Sequence, residues 1–260
     1  VDFYDEVAGE HLARTAPPIQ LGDEASFLAH PWVGALIPQY LKDAALAREA
    51  MRRLTADLKR FNEVYAARER RVAFTTIDGR VKTQLSFLRK LHSLCKERAS
   101  ETGLVPKTLL AFYRQIKDLC GVRFACPYYD EIEPAIQDVR LVLGELGYAI
   151  NLAESPDKNY LDAGDERGYR SYHFYVEVPT PVDIYGNVEL CLCEVQVRSE
   201  LQHVWAVKSH NILYKPHEGW HFSDRHVTED MKQLSNSLRA ADQTLVSIRD
   251  RARGGSHGNQ

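Results

Sequence analysis

The sequence has no run of about 18 apolar residues, so nothing in it reads as a membrane-spanning helix. Its cysteines are few: Cys95, Cys120, Cys126, Cys191 and Cys193, with no CxxC pair among them. An odd number without that spacing argues against a zinc site and against a disulfide framework, and reduced, partly buried thiols in a cytoplasm are expected. The first residues, Val1-Asp2-Phe3-Tyr4-Asp5, hold neither the basic nor the apolar segment of a secretory signal, and the missing Met reads as a processed or an engineered start. No G-x-x-x-x-G-K-[ST] occurs, which excludes a P-loop. Charge of one sign is lacking too. Thirty-three Lys and Arg against 36 Asp and Glu give 33 − 36 = −3, neither a histone-like polycation nor an acidic disordered chain. That sum does not see local basic patches. What is present, 260 residues with 44% hydrophobic, suffices for one large domain or two small ones with a core that needs no staple.

Residues 1–30 are punctuated by Pro17-Pro18, Gly22 and Pro31 and allow only short helices. From Pro38 to Arg71 apolar residues recur at helical spacing (Leu41, Ala44, Ala45, Met51, Leu54, Leu58, Phe61, Tyr65). Between them lies a basic face with Arg48, Arg52, Arg53, Lys59 and Arg60. This face suits solvent or a phosphate backbone. Asp78-Gly79 reads as a turn. A helix follows over 81–99 with Leu85, Leu88, Leu91 and Cys95 as its stripe, then a short helix over 107–117. A strand at 119–126, a helix at 130–146 and a strand at 148–153 come next. Residues 155–168 form a charged loop. Alternation at 171–178 gives a strand, and 188–198 a longer one. Helices at 199–214 and 226–252 close the chain before a Gly/Ser-rich tail. The fold class is α/β (α+β): a mixed sheet of about five strands flanked by helices.

Four places carry chemistry. In the strand at 188–198, Glu194, Gln196 and Arg198 share one face, while Cys191, Cys193, Val195 and Val197 line the other. A face that turns polar near a strand's end is how sheets line a cleft. Asp118 precedes the strand 119–126, and Arg123 within it needs an anionic partner. Asp118 and Glu194 are the carboxylate type that holds a hard divalent cation such as Mg²⁺. Lys82, Ser86 and Lys90, spaced by four and preceded by Arg80, read as one cationic helix face suited to polyphosphate. Last, Arg167-Gly168-Tyr169-Arg170-Ser171-Tyr172-His173 offers a tight turn and a tyrosine placed to stack on a base.

In order and spacing these pieces resemble the synthetase domain of the RelA/SpoT family. Arg80-x-Lys82-x-x-x-Ser86-x-x-x-Lys90-Leu91 resembles its ATP-binding segment, and Lys117-Asp118-Leu119-Cys120-Gly121-Val122-Arg123 its metal-binding strand start. Tyr160 followed by Gly168-Tyr169-Arg170-Ser171-Tyr172-His173 resembles the acceptor loop. Glu194-Val195-Gln196-Val197-Arg198, with Trp205, His210 and Tyr214-Lys215, resembles the last catalytic strand and helix. The resemblance covers about residues 75–215 and implies a nucleotidyltransferase-like fold. It divides the chain into an N-terminal helical extension (1–74), a synthetase domain (75–218) and a C-terminal helix with a flexible tail (219–260). It implies transfer of the β,γ-pyrophosphate of ATP to a ribose 3′-hydroxyl, with release of AMP. By the same resemblance Asp118 and Glu194 are the catalytic and metal residues, for Mg²⁺ or Mn²⁺. Arg80, Lys82, Ser86, Lys90 and Arg123 take ATP, and Tyr169, His173, Gln196, Arg198 and Arg167 take the acceptor.

The sequence departs from the family at one place. Where alarmone synthetases carry a Pro-Lys pair before the Gly-Tyr, it has Gly164-Asp165-Glu166, acidic where a phosphate is usually met. Lys158 and Arg167 are the nearby cations able to replace the missing one. GDP or GTP is the first acceptor expected. An adenosine nucleotide or the 3′ end of tRNA, with an antitoxin partner, is the second, and an inactive nucleotide-binding protein the third. No His-Asp dipeptide occurs, so a synthetase without the hydrolase half is expected, cytoplasmic, away from membranes, and with homo-oligomers left open.

Overall fold

The structure, a computed structural model, describes residues 21–102, 109–150, 153–183, 185–210, 212 and 225–254. The readings made for residues 1–20, Tyr214-Lys215 and the tail 255–260 lie outside these. Three helices open the described chain: α1 (Glu24–Leu28), α2 (Pro31–Ala35) and the 33-residue α3 (Ile37–Glu69). Asp23 starts α1 by accepting from Ser26 N at 2.8 Å, and Pro31 at the first position of α2 needs no N–H partner. Strand β1 (Thr76–Val81) follows, then α4 (Gln84–Thr102), α5 (Leu110–Tyr113), β2 (Cys120–Cys126) and α6 (Ile132–Glu145). After them come β3 (Ala149–Ile150), β4 (Lys158–Asn159), β5 (Tyr172–Pro181), β6 (Val188–Ser199), α7 (Glu200–Ser209) and α8 (Arg225–Gly254). The six strands form one mixed sheet in the order β1-β2-β6-β5-β3, with β4 also paired to β5. The five free cysteines are all buried, and burial pushes the Cys95 thiol up to about 11. No helix among the described residues is long and apolar enough to cross a membrane.

Contacts gather the chain into two compact units: Val1–Glu49 with Arg80–Cys120, and Ala50–Gly79 with Gly121–Gln260. The first packs Phe27, Val33, Tyr40 and Ala44 against Phe87, Leu88, Leu91 and Cys95 of α4, with Leu109, Tyr113 and Ile116 completing the core. Phe87 lies between two tyrosine rings, Tyr40 at 5.3 Å and Tyr113 at 4.8 Å. Burying one such side chain contributes about 1.5–3 kcal/mol. In the second unit Val195 and Val197 of β6 pack beneath the sheet with Phe174 and Val176 of β5, all essentially without exposure. Ile132, Ile136, Val139 and Leu143 form the buried stripe of α6.

Several expected elements differ. β1 occupies the stretch read as a turn and a helix start. Gly79 is a close-approach glycine: a Cβ there would stand 2.7 Å from Met51 Cγ and 2.9 Å from Thr55 Oγ1 of α3. Helix α4 begins at Gln84 because Thr83 Oγ1 accepts from Ser86 N (3.4 Å), so Lys82 precedes the helix instead of sharing its face with Ser86 and Lys90. Leu41 (54% exposed) and Leu85 (48%) fall outside their helices' buried stripes. The helix expected over 107–117 is helical over Leu110–Tyr113 among the described residues. The 155–168 loop contributes the short strand β4.

Candidate functional site

In the first unit the end of β1 lies beside the start of β2. Lys82 N donates to Leu119 O (2.8 Å), and Tyr40 Oη donates to Lys82 O (2.7 Å), which fixes the lysine backbone from both sides. Its Nζ meets Asp118 Oδ2 at 2.8 Å, with side-chain exposures of 11% and 29%. Arg80 stands two residues earlier on β1 and is half-buried. Ser86 lies in the first turn of α4 and Lys90 one turn further, exposed. A phosphate chain meeting this corner would find a pinned ammonium beside an open carboxylate.

In the second unit the antiparallel pairing of β5 and β6 sets His173 opposite Gln196 and Tyr175 opposite Glu194. Cross-strand partners share a face, and on this face they form one network. Glu194 Oε1 accepts from His173 Nδ1 (3.1 Å) and Tyr175 Oη (3.2 Å), and Oε2 accepts from Gln196 Nε2 (2.6 Å). Gln196 Oε1 accepts from Arg198 Nη2 (3.0 Å). Tyr169 Oη lies 2.8 Å from His173 Nε2, and Arg198 stands 5.5 Å from the Tyr169 ring centroid. Nδ1 donates to the carboxylate, and Nε2 and the tyrosine hydroxyl share the second bond. Burial by itself would raise the Glu194 pKa. The His173 hydrogen bond and charge, with the bonds from Gln196 and Tyr175, outweigh it and hold the carboxyl at about 2. Burial raises the Tyr169 phenol. Arg123 belongs to the same neighbourhood, since its charge acts on Tyr169 and on His203.

The loop that carries Tyr169 is built by its own acids. Asp165 Oδ1 accepts from Arg167 N (2.9 Å) and Tyr169 N (2.8 Å). Asp162 pairs with Arg239 Nη2 (2.6 Å) and accepts from Tyr129 Oη (2.9 Å). Two of the carboxylates near the expected phosphate position therefore fold the loop. Arg167 is exposed on it. Lys158 of β4 pairs with His173 in register and stands 5.9 Å from the Tyr175 ring centroid.

Helix α8 fastens the same loop from behind. Ser235 Oγ donates to Gly168 O (2.5 Å), and the buried Arg170 reaches Asn236 Oδ1 (2.9 Å) and Leu161 O (3.0 Å). Ser199, which caps α7, donates to the buried Asp242 Oδ2 (2.6 Å), and burial raises that acid's pKa. Gly168 has φ +91°, and a Cβ there would sit 3.0 Å from both Lys232 Cα and Ser235 Cβ. Gly168→Ala is expected to cost about 1–2 kcal/mol of backbone strain and to push α8 away. Thermal unfolding should then show a midpoint lowered by several degrees, and an unchanged midpoint would count against the clasp.

Sequence reasoning missed Tyr175 as a Glu194 partner, although strand alternation places it beside His173. It missed Asp165 as a loop cap, for which Asp-x-x-Gly was the available signal. It also missed Ser235, Asn236 and Asp242, for which no local signal exists. Of the basic face on α3, Arg53 Nη1 donates to Pro179 O (2.6 Å) and its guanidinium lies 5.9 Å from the Tyr148 ring centroid. That cation serves packing. No group of three or more His, Cys, Asp or Glu capable of holding a metal occurs among the described residues. A magnesium ion bound together with a polyphosphate needs only one or two carboxylates, and the hard, partly open oxygens of Asp118 fit it.

A family model described as "Region found in RelA / SpoT proteins" matches residues 79–219. Two Bacillus subtilis (strain 168) proteins are similar in sequence. The chain is 27% identical to GTP pyrophosphokinase YwaC over 134 residues, 52% of this chain and 58% of that one. It is 26% identical to GTP pyrophosphokinase YjbM over 168 residues, 65% and 70%. The fold is similar to that of small alarmone synthetase 1 from Bacillus subtilis bound to its product pppGpp. That match has a TM-score of 0.63 and 23% identity, and covers 83% of this chain and 99% of that one. The same protein bound to AMPCPP matches at a TM-score of 0.55 with 21% identity, covering 83% and 98%.

Proposed function

The chain belongs to the RelA/SpoT family, and from that membership we propose that it is a pyrophosphokinase that moves the β,γ-pyrophosphate of ATP to the 3′-hydroxyl of GDP or GTP. The observation that supports this most is the ionised, buried Glu194, held by three donors on a face shared with His173 and Tyr169. A carboxylate offers about four lone-pair directions, and three are used. The fourth suits the acceptor hydroxyl.

Lys82 and Arg80, with Ser86 and Lys90, bind the phosphates of ATP. Asp118 would hold Mg²⁺ or Mn²⁺, which when bound neutralises charge on the transferred phosphates. Tyr169 stacks on the acceptor base, and Arg198 backs its ring. The 3′-oxygen attacks the β-phosphorus, and the bond from that phosphorus to the α,β-bridging oxygen breaks. AMP leaves with the bridging oxygen, and the hydroxyl proton passes to Glu194. A carboxyl held at about 2 is a weak base. Its part is to orient the hydroxyl and to take the proton late, once the new O–P bond has made that proton acidic.

The deciding experiment incubates the protein with γ-labelled ATP and, separately, GDP, GTP, AMP, ATP or tRNA. Label on GDP or GTP is expected. Label on tRNA or an adenosine nucleotide alone would replace the acceptor, and no transfer to any acceptor would overturn the pyrophosphokinase reading.

A further inference from the structure

Five buried side-chain nitrogen and oxygen atoms among the described residues have no hydrogen-bond partner, and three fall within six consecutive residues: Arg198 Nε, Gln202 Nε2 and His203 Nδ1. Folded proteins leave few such groups, so a cluster of them needs a cause. Gln202 is explained locally. Its Oε1 accepts from Ser199 N (3.2 Å) in the capping box of α7, which strands the amide nitrogen. Arg198 and His203 have no such account. Arg198 is 3% exposed and one of its other nitrogens is committed to Gln196, while Nε–H is left over. His203 follows on the first turn of α7, near Arg198 of β6, Arg123 of β2 and Asp78 of β1. Burial and the two arginines disfavour a proton on the imidazole, so His203 is a neutral N–H donor there.

We propose that His203 is a further substrate contact, its Nδ1–H binding, together with Arg198 and Arg123, a phosphate oxygen of the pyrophosphate being transferred. This rests on the pyrophosphokinase reading. An anion supplies several acceptor oxygens at once and so satisfies both stranded groups, and its charge suits the two guanidiniums beside them. In a loose transition state the transferred group is fully bonded to neither partner and is held by its equatorial oxygens, so a donor placed on one of them acts mainly at that point.

The test uses full-length His203→Ala, His203→Asn and His203→Gln. The Asn amide nitrogen falls near the position of Nδ1, whereas that of Gln falls near Nε2. Ala and Gln are expected to lower kcat by about 10²-fold with KM for ATP and acceptor shifted less, and Asn to recover most of that loss. An Ala variant within about twofold of wild type would overturn the inference, as would Asn no better than Gln. Asn and Gln both keep the site filled, so their comparison decides even if Ala fails to fold. Should the wild-type protein transfer to no acceptor, the pyrophosphokinase reading fails on its own. Calorimetry with inorganic pyrophosphate then judges the site: binding weakened about tenfold by His203→Gln supports it, and unchanged or absent binding overturns it.

Discussion

Glu194→Gln is expected to lower pyrophosphate transfer by about 10²–10⁴-fold while the protein stays folded. The amide matches the carboxylate in shape and can still accept from Gln196 Nε2 through one oxygen. It then presents an NH₂ toward Tyr175 Oη and His173 Nδ1, both able to accept. The fold therefore survives, but the negative charge proposed to draw the acceptor proton is gone. The substitution also leaves a signature in stability. The wild-type carboxyl is depressed from 4.5 to about 2, so its contribution is fully present above the ordinary carboxylate range and is lost as pH falls toward 2. Acid unfolding of the wild type should be steeper in that window than that of the Gln variant. Transfer within about tenfold of wild type would remove Glu194 from the reaction, and identical acid profiles would contradict the hydrogen-bonded ion.

The second large effect is expected from Asp118→Asn. Asn can still accept from Lys82 Nζ, so the corner where β1 ends and β2 begins keeps its geometry. The hard anionic oxygen is lost, and an ammonium no longer balanced by charge faces the site. Metal neutralisation of phosphate charge is worth several kcal/mol, so a loss of about 10²-fold or more in transfer follows. A chelator should stop the wild-type reaction. The Asn variant should need far more Mg²⁺ for half-maximal rate, read by titrating the metal at fixed ATP. An unchanged metal requirement would move the ion away from Asp118.

Much of this arrangement was legible in the residues. The change of β6 from apolar to polar at Glu194 is visible as alternation, and so is the pairing of His173 with Tyr175 on one side of β5. The stripe of α6 is equally plain. β1 was not legible, because Asp78-Gly79 is a turn signal whose glycine is present to let α3 approach. Nor was the state of the acidic loop. Asp165 looks repulsive to phosphate in sequence, and in the fold its oxygen closes the turn that presents Tyr169. Nor was the use of one cation on α3 legible, since Arg53 binds the end of β5.

The sequence by itself determined which side chains share a face, because alternation along a strand and the 3.6-residue turn of a helix follow from covalent geometry. Only the tertiary structure decided which faces meet. The register that sets Tyr175 across from Glu194 joins residues 19 apart, and the clasp of Ser235 on Gly168 joins residues 67 apart. The stranded donors at Arg198 and His203 exist only once β6 and α7 are packed. Such contacts depend on burial and on distance through space, which no local pattern encodes.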